Sequence, residues 1–587
     1  MGYILGIDTG GTNTDCVVLH EEDLSFVCSG KSPTTHANLS EGIRDSIDTM
    51  DFSKFEEITS VRLSTTLATN AVVEGRGGSV GLILSGFGDG DTFDYPADVV
   101  CRISGKLDIK GNEKVALSER EIEEALESLS GKVDAVAISC YASVRNPAHE
   151  LLIREMAEKL TDMPVFCAHE LSASLGFKER TVTTVFNAGL LQIVRKLIIS
   201  AKSVLTGKGI SAPIAIVRSD GTLMTEKVAM KRPVDMVLSG PAASILGARH
   251  LTGLDDAFIL DMGGTTTDIA YMHGGTVSLN PEGANIGGWQ THCCSADIST
   301  HGIGGDSLID IDPEGSGEET LEIIVGPQRV VPVCRHSKEC NGEIQSSYGI
   351  TPTDLAHAAG RLDIWDSAKS KEAIQSAARR AGIDYEALLD TATRKVTEEL
   401  VYAIIQSVAD FERKRVDLIG DIASAFLMKK AFVNDAAEFM HARFNINYPI
   451  IAIGAPVRQW LPAVADILHT EVVIPEHFFV ANAIGAAVAE YSEMADATIR
   501  PVINGSLYAV YLPDRKLECS TYEEACVAAE EGLGKYVRAR MADNGIFECS
   551  VSTEKEDRYT EIFSSGKRTY IETKINACAS TGRTVIR

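Results

Sequence analysis

The sequence predicts an α/β protein carrying a small C-terminal α+β module, and three observations predict it. One glycine-rich hairpin is written twice, as DTGGTNTDCV at 8–17 and as DMGGTTTDIA at 261–270. Around the two copies, short apolar runs alternate with segments of helical periodicity. Beyond residue 495 that pattern gives way to one long helical stretch and an alternating strand.

The elements follow in order. YILGID (3–8) is an apolar run that stops at a glycine turn and resumes as DCVVL (15–19), the pattern of a β-hairpin with a polar tip. SVGLILS (79–85) and VDAVAISCYA (133–142) read as buried strands, and EREIEEALESL (119–129) and HELLIREMAEKL (149–160) as amphipathic helices. VDMVLSGPAASILGARH (234–250) reads as a strand or loop feeding a helix of small residues. AFILD (257–261) and DIAYMHGG (268–275) repeat the hairpin, and STHGIGGDSLID (299–310) follows it. Residues 354–415 are mostly helical by periodicity. YPIIAIGAPVRQWLPAVADIL (448–468) reads as strand, glycine turn and helix, and ANAIGAAVAEY (481–491) as a tightly packed Ala/Gly helix. In the tail, 521–545 is a helix and RTYIETKINACAS (568–580) alternates like an edge strand. The expected division is 1–190, 191–495 and 496–587.

Length and charge bound the function. A chain of 587 residues needs several cores. A net charge of −27 disfavours long-range attraction to nucleic acid or anionic membrane, yet leaves local phosphate binding by backbone N–H groups open. Thirteen cysteines without C-x-x-C spacing read as reduced, buried hydrophobes, with CRHSKEC (334–340) the nearest approach to a thiol cluster. The N-terminal run is a strand rather than a signal peptide, and no window approaches eighteen uninterrupted apolar residues. The expectation is a soluble cytoplasmic protein.

The repeat carries the chemistry. In each copy a strand delivers an Asp to its C-terminal end, two glycines follow, then Thr-X-Thr and a second Asp. Paired glycines let several N–H groups line one concave turn with no Cβ holding a ligand away. Threonine hydroxyls add donors for phosphate oxygens. The leading Asp suits Mg²⁺, which takes few carboxylates, several waters and the substrate's own phosphates. A turn needed only to reverse the chain has no reason to repeat Asp, Thr and Asp at the same offsets. Two such hairpins facing each other across a cleft would grip one polyphosphate.

That arrangement resembles the actin-like ATPase superfamily, in which duplicated α/β lobes of the actin/ribonuclease-H type enclose a cleft and an adenosine motif comes later. IIAIGAPVRQWLP (450–462) stands where that motif would be, and GIGGDSL (302–308) resembles the turn that follows the second phosphate hairpin. Within the superfamily the chain is similar to the hydantoinase A/5-oxoprolinase family. The resemblance rests on GGTNTD (10–15), STTLATNAVVEGRGG (64–78), NPAHE (146–150), ERTVTTVFNAGL (179–190), RPVDMVLSGPAASILGA (232–248) and DMGGTTTDIA, and covers roughly residues 1–490. It departs at VGPQRVVPVCRHSKEC and YGITPTDL, where the family has a proline- and glycine-rich segment.

The resemblance implies ATP-dependent hydrolysis of a cyclic amide (hydantoin, oxoproline or another lactam) through phosphorylation of its carbonyl oxygen, in an oligomer with a hydantoinase B-type subunit. It implies Mg²⁺ at Asp8 and Asp261, which are also the catalytic candidates. Gly10, Gly11 and Thr12 would bind phosphate in one lobe, and Gly263, Gly264 and Thr265 in the other. Asp15 and Asp268 either contact the ion or brace the returning strand. Gly304, Gly305 and Asp306 would sit near ribose or phosphates, with Gly454 and Ala455 under adenine. Thr65, Thr66, Thr69, Asn70, Arg180, Thr183, Thr184 and Asn187 are substrate candidates, with helix capping as the competing reading. His292, Cys293, Cys294 and His301 invite a metal, but adjacent cysteines have poor ligand geometry without further partners. Two alternatives stand beside hydrolysis: ATP-driven carboxylation of a ketone, and a non-enzymatic ATP-driven switch or reductive activator.

Overall fold

The computed structural model describes every residue except 1, 36–38, 87–91, 173–174, 281, 313–320, 336–347, 415, 433–439, 503–506, 563–566 and 582–587. The chain divides into two units, one formed by Met1–Ala243, Leu279–Ser295 and Ala486–Ile586, the other by Ser244–Ser278 and Ala296–Gly485.

The first unit is built on a six-stranded sheet. Its order is Leu223–Thr225, Ile214–Val217, Ile58–Thr65, Tyr3–Thr9, Asn13–His20 and Phe26–Pro33. Tyr3–Thr9 is buried along its whole length, as an apolar strand covered on both faces must be. It pairs antiparallel with Asn13–His20 and parallel with Ile58–Thr65. A second, four-stranded sheet contains Val80–Ser85 and Ala135–Cys140 as its inner strands, as the two apolar runs predict. Glu119–Leu129 and Ala148–Leu160 are the helices expected from their periodicity.

The longest helix, Phe177–Gly207, has 31 residues. By length and composition it could cross a membrane, but 67% of its apolar window is buried inside the fold. Its buried face carries Arg180, Thr184 and Asn187 among Val182, Val185 and Leu190, which is the composition of a core helix with polar anchors.

The tail, 496–587 in the expected division, belongs to this same unit. It forms a five-stranded antiparallel sheet covered by the helix Tyr522–Asp543. One expectation fails here. Lys567–Ser580 is no edge strand, because it pairs with Ser492–Val502 on one side and Ser550–Ile562 on the other. Its alternation reflects one face turned to the Tyr522–Asp543 helix, where Ile575, Ala577 and Ala579 are buried, and alternation reports a face rather than an edge.

The second unit repeats the central topology of the first. Ala257–Met262 pairs antiparallel with Thr267–His273 and parallel with Ile450–Ile453, which in turn pairs with Val472–Val473. The helix Tyr385–Phe411 packs on this sheet through its buried Leu388, Val396, Leu400 and Ile404, and Ser367–Ala381 packs against that helix. Ser239–Thr252 and the Ala/Gly helix Ala481–Val488 meet so closely that a Cβ on Gly247 would strike the Ala481 carbonyl. That contact explains why both segments are written in small residues.

Two candidate phosphate hairpins

The hairpins have matching registers. Asp8 stands opposite Asp15 in the first, and Asp261 opposite Asp268 in the second. The turns close alike, with Gly10 N–H bonded to the Asn13 carbonyl at 3.0 Å and Gly263 N–H to the Thr266 carbonyl at 2.9 Å. Each leading Asp also accepts a serine hydroxyl. Ser64 Oγ donates to Asp8 Oδ1 at 2.5 Å, and Ser244 Oγ to Asp261 Oδ2 at 2.6 Å. Sequence reading missed both serines. Ser64 opens the quoted STTLATN phrase and Ser244 lies within SGPAASILGA, so the signal was present without the pairing.

The trailing acids take partners from the third strand of each sheet. Lys31, cross-strand from Asp15, pairs with it at 2.8 Å, while Thr300, cross-strand from Asp268, donates to it at 2.7 Å. Burial pushes the Asp15 carboxyl up despite Lys31. Asp268, where burial is opposed only by the Thr300 hydroxyl, is pushed up to about 6.

Around the first hairpin the Ile58–Thr65 strand brings its C-terminal end alongside. Thr9 and Thr65 are register partners, and the Thr9 carbonyl accepts from Thr66 N–H at 3.1 Å. Thr66 is the N-cap of Leu67–Val73, the helix that carries Thr69 and Asn70. A Cβ on Gly11 would meet only Asn70 Nδ2, at 3.5 Å, so the turn has an open concave side with an amide beside it. Thr34 Oγ1 holds the Gly10 carbonyl at 2.8 Å, and Thr34 N–H holds the Thr12 carbonyl at 2.9 Å. With those carbonyls engaged, the turn is a stable frame for N–H groups aimed at an anion.

Arg180, Thr184 and Asn187 lie buried on the Phe177–Gly207 helix. Thr184 Oγ1 donates to the Arg180 carbonyl one turn back, at 2.8 Å, and Asn187 bonds the Lys231 carbonyl and Val234 N–H, both at 3.2 Å. These are bracing bonds within the helix and to the 231–234 segment. Thr183 Oγ1 donates to the Glu179 carbonyl one turn back at 2.7 Å and accepts from His292 N–H at 2.8 Å.

Around the second hairpin, segments remote in sequence converge. Gly305 N–H bonds the Gly263 carbonyl at 3.0 Å and Asp306 N–H the Gly264 carbonyl at 2.6 Å. A Cβ on Gly304 would lie 2.6 Å from the Gly264 carbonyl carbon, so only glycine permits this approach. Asp261 is register partner to Ile453, which places Gly454 against the hairpin, with φ of +95° and a Cβ position 2.8 Å from Asp261 Oδ1. Ala455 is exposed beside it, and Pro456 packs on Gly305. Burial pushes the Asp306 carboxyl up, and the nearby Arg329 and Arg335 only partly offset this.

The cysteine–histidine group of the sequence reading takes other partners. His292 Nδ1 pairs with Ser172 Oγ at 2.9 Å and His301 Nε2 with Ser407 Oγ at 2.8 Å. Cys293 is buried, which pushes its thiol up to about 12, and Cys294 is exposed. The CRHSKEC cluster extends outside the described residues at Cys340, while Cys334 is buried.

Known proteins resemble this chain in sequence and in fold. A caprolactamase subunit alpha from Pseudomonas jessenii is 29% identical over 53% of this chain and 49% of its own length. An acetophenone carboxylase gamma subunit from Aromatoleum aromaticum is 25% identical over 56% of this chain and 50% of its own. The chain thus spans about half the length of the curated relatives it matches. The crystal structure of the ATP-dependent caprolactamase from Pseudomonas jessenii superposes with a TM-score of 0.70 at 22% identity, covering 98% of this chain and 87% of that one. That likeness shows the fold, an α/β architecture of the actin-like ATPase type. The family model for the hydantoinase/oxoprolinase N-terminal region matches residues 4–161, and the model for hydantoinase/oxoprolinase matches residues 180–495. The chain belongs to the hydantoinase/oxoprolinase family.

Proposed function

We propose that this chain is the nucleotide-binding, phosphoryl-transferring subunit of an ATP-dependent cyclic-amide hydrolase. The observation that carries the reading is the convergence of Gly304–Asp306 and Gly454 on the second Asp-Gly-Gly-Thr hairpin, itself a register-matched copy of the first. A turn serving only chain reversal does not need glycine at three remote positions. The relative named caprolactamase subunit alpha supports a lactam as substrate.

The residues fit a magnesium-bound polyphosphate. The Gly11 turn is open where a Cβ would stand, and buried Asp8 is a hard oxygen donor. In our reading each hairpin is a phosphate-binding loop in its own unit: Gly11 and Thr12 in the first, and Gly264 and Thr265 in the second, supply N–H and hydroxyl donors, while Gly10 and Gly263 spend their N–H groups closing the turns. Asp8 and Asp261 would each offer a carboxylate to the water shell of Mg²⁺, oriented by the hydroxyls of Ser64 and Ser244. Gly304 to Asp306 orient the ribose side, and Gly454 and Ala455 form the adenine floor. An amide carbonyl is a poor electrophile, and bound ATP supplies the phosphoryl group that makes its oxygen a leaving group. The protein's part is positioning and neutralisation of charge. Thr66, Thr69 and Asn70, beside the first hairpin, are the substrate-side candidates. Ring opening is completed with a hydantoinase B-type subunit, in a cytoplasmic oligomer that cell fractionation would locate.

A second reading has its own support, since the other named relative is a ketone carboxylase subunit. Phosphate release from ATP, measured against lactams, hydantoins and ketones with and without the co-purifying partner, separates them. Stimulation by a lactam or hydantoin is expected. Stimulation by ketone with bicarbonate alone would transfer the assignment to carboxylation. No stimulation by any compound with the partner present would defeat both and leave an ATP-driven switch.

A further inference from the structure

The NPAHE phrase takes no part in the nucleotide chemistry, yet its last residue is one of the most deeply buried acids in the chain. Glu150 lies on the Ala148–Leu160 helix at 0% exposure. Two other donors reach it from separate elements. Cys167 ends the Val165–Cys167 strand at 1% exposure, and His169 lies in the short Ala168–Leu171 helix with its ring 17% exposed. A carboxylate oxygen, the thiol sulfur and a ring nitrogen lie within 4.8 Å of one another. Among the described residues this is the one group of three or more such donors so disposed.

We propose that Glu150, Cys167 and His169 form a zinc site. The donor set of carboxylate, thiolate and imidazole is the mixed set that Zn²⁺ accepts in tetrahedral coordination. The backbone already holds each donor in place. Glu150 Oε1 accepts from Cys140 N–H at 2.8 Å and Oε2 from His169 N–H at 2.9 Å, while Cys167 Sγ donates to the Glu150 carbonyl at 3.7 Å. His169 Nδ1 and Glu150 Oε2 are 2.6 Å apart, with a proton between them. Exchanging that proton for the ion opens the pair to a tetrahedral edge of about 3.3 Å, set by zinc–ligand lengths near 2.1 Å.

Charge favours the exchange. A thiolate and a carboxylate neutralise Zn²⁺, so the buried site ends with no net charge. Binding releases the Cys167 thiol proton to solvent, the ring hydrogen of His169 sits on Nε2 once Nδ1 coordinates, and no electron moves. The partly exposed side of His169 is where the ion enters and where water takes the fourth position. Held this way, the ion ties the Ala148–Leu160 helix to the end of the Val165–Cys167 strand, which pairs with Ala135–Cys140 in the four-stranded sheet. The site is structural and independent of the phosphoryl-transfer reading.

The test uses the full chain, stripped of metal by chelation and titrated with Zn²⁺ and with Co²⁺. The expected result is one ion per chain, a tetrahedral Co²⁺ spectrum with a thiolate charge-transfer band, and a Zn²⁺-dependent rise in melting temperature. Cys167→Ser is expected to abolish the charge-transfer band, and His169→Gln to weaken binding at least tenfold. Cys294→Ser, at an exposed cysteine remote in sequence, leaves both signals unchanged. Should Cys167→Ser not fold, His169→Gln at the partly exposed position carries the test. Absence of stoichiometric binding by the wild-type chain overturns the site. So does a Co²⁺ spectrum that neither variant alters, which would leave a buried His–Glu ion pair with a bystander thiol.

Discussion

Asp8 and Asp261 each accept a serine hydroxyl, and this shared detail separates charge from positioning at the scale of single residues. Asp8→Asn and Asp261→Asn keep the shape and remove the charge. Each is expected to lower ATP-dependent phosphate release by about 10²–10³-fold, the scale on which lost electrostatic stabilisation at a transferring phosphoryl group registers. Ser64→Ala and Ser244→Ala each remove one hydroxyl that orients the carboxylate and leave its charge intact, so a loss of about tenfold is expected. Equal losses from Asp and Ser variants, in protein of native circular dichroism, would mean that the aspartates only brace the hairpins. Gly304→Ala tests close approach. Its Cβ would meet the Gly264 backbone at 2.6 Å, and strain of about 1–3 kcal/mol is expected. Nucleotide affinity should fall with it, and wild-type affinity in a titration would remove the GIGGD turn from the site.

Elements are joined by buried charge at one place that periodicity does not reveal. Glu493, near the start of Ser492–Val502, meets Arg218 at 2.6 Å and Arg540 at 2.8 Å, and Asn544 Nδ2 at 3.2 Å. These contacts tie the tail's sheet and its long helix to the Ile214–Val217 strand. Burial pushes the Glu493 carboxyl up, but Arg218 and Arg540 outweigh it and hold it below the usual glutamate range. An acid with a depressed folded pKa stabilises the fold above its unfolded pKa, and that stabilisation is lost as pH falls through the folded value. Glu493→Gln takes the ion-pair partner from buried Arg218 and from partly exposed Arg540, and should cost about 3 kcal/mol at neutral pH. Its urea midpoint should also change less than the wild-type midpoint between pH 7 and pH 4. An unchanged midpoint at pH 7 would show that the network carries no net stabilisation.

For the molecule as a whole, the two units have separate apolar cores, so unfolding need not be a single two-state event. A ligand that binds only the folded chain raises its melting temperature by mass action. MgATP at a hundred times its dissociation constant adds about 2.7 kcal/mol, or roughly 5 °C or more for domains of this size. Calorimetry with and without MgATP checks this. Asp8→Asn and Asp261→Asn are each expected to reduce the shift, and a full shift in both variants would place the nucleotide elsewhere.

What could be read from the chain alone follows the range of the forces involved. The hairpins, the Glu119–Leu129 helix and the 450–468 strand-turn-helix are encoded by neighbours within a few residues, through glycine at the turns and apolar period along the elements. Repetition of Asp-X-Gly-Gly-Thr-X-Thr-Asp was enough to mark both hairpins as candidate phosphate loops, because such chemistry is carried by the local backbone. Ser64 and Ser244 were not legible as partners, since sheet register and helix placement, rather than spacing, bring them to Asp8 and Asp261. The same holds for the inner position of Lys567–Ser580, whose alternation names a face and not a neighbour. Sequence determined the two loops and the elements that deliver them. Tertiary structure alone decided which remote glycines close on the second loop, and which cysteine and histidine reach Glu150, because packing and register act between segments with no common local code.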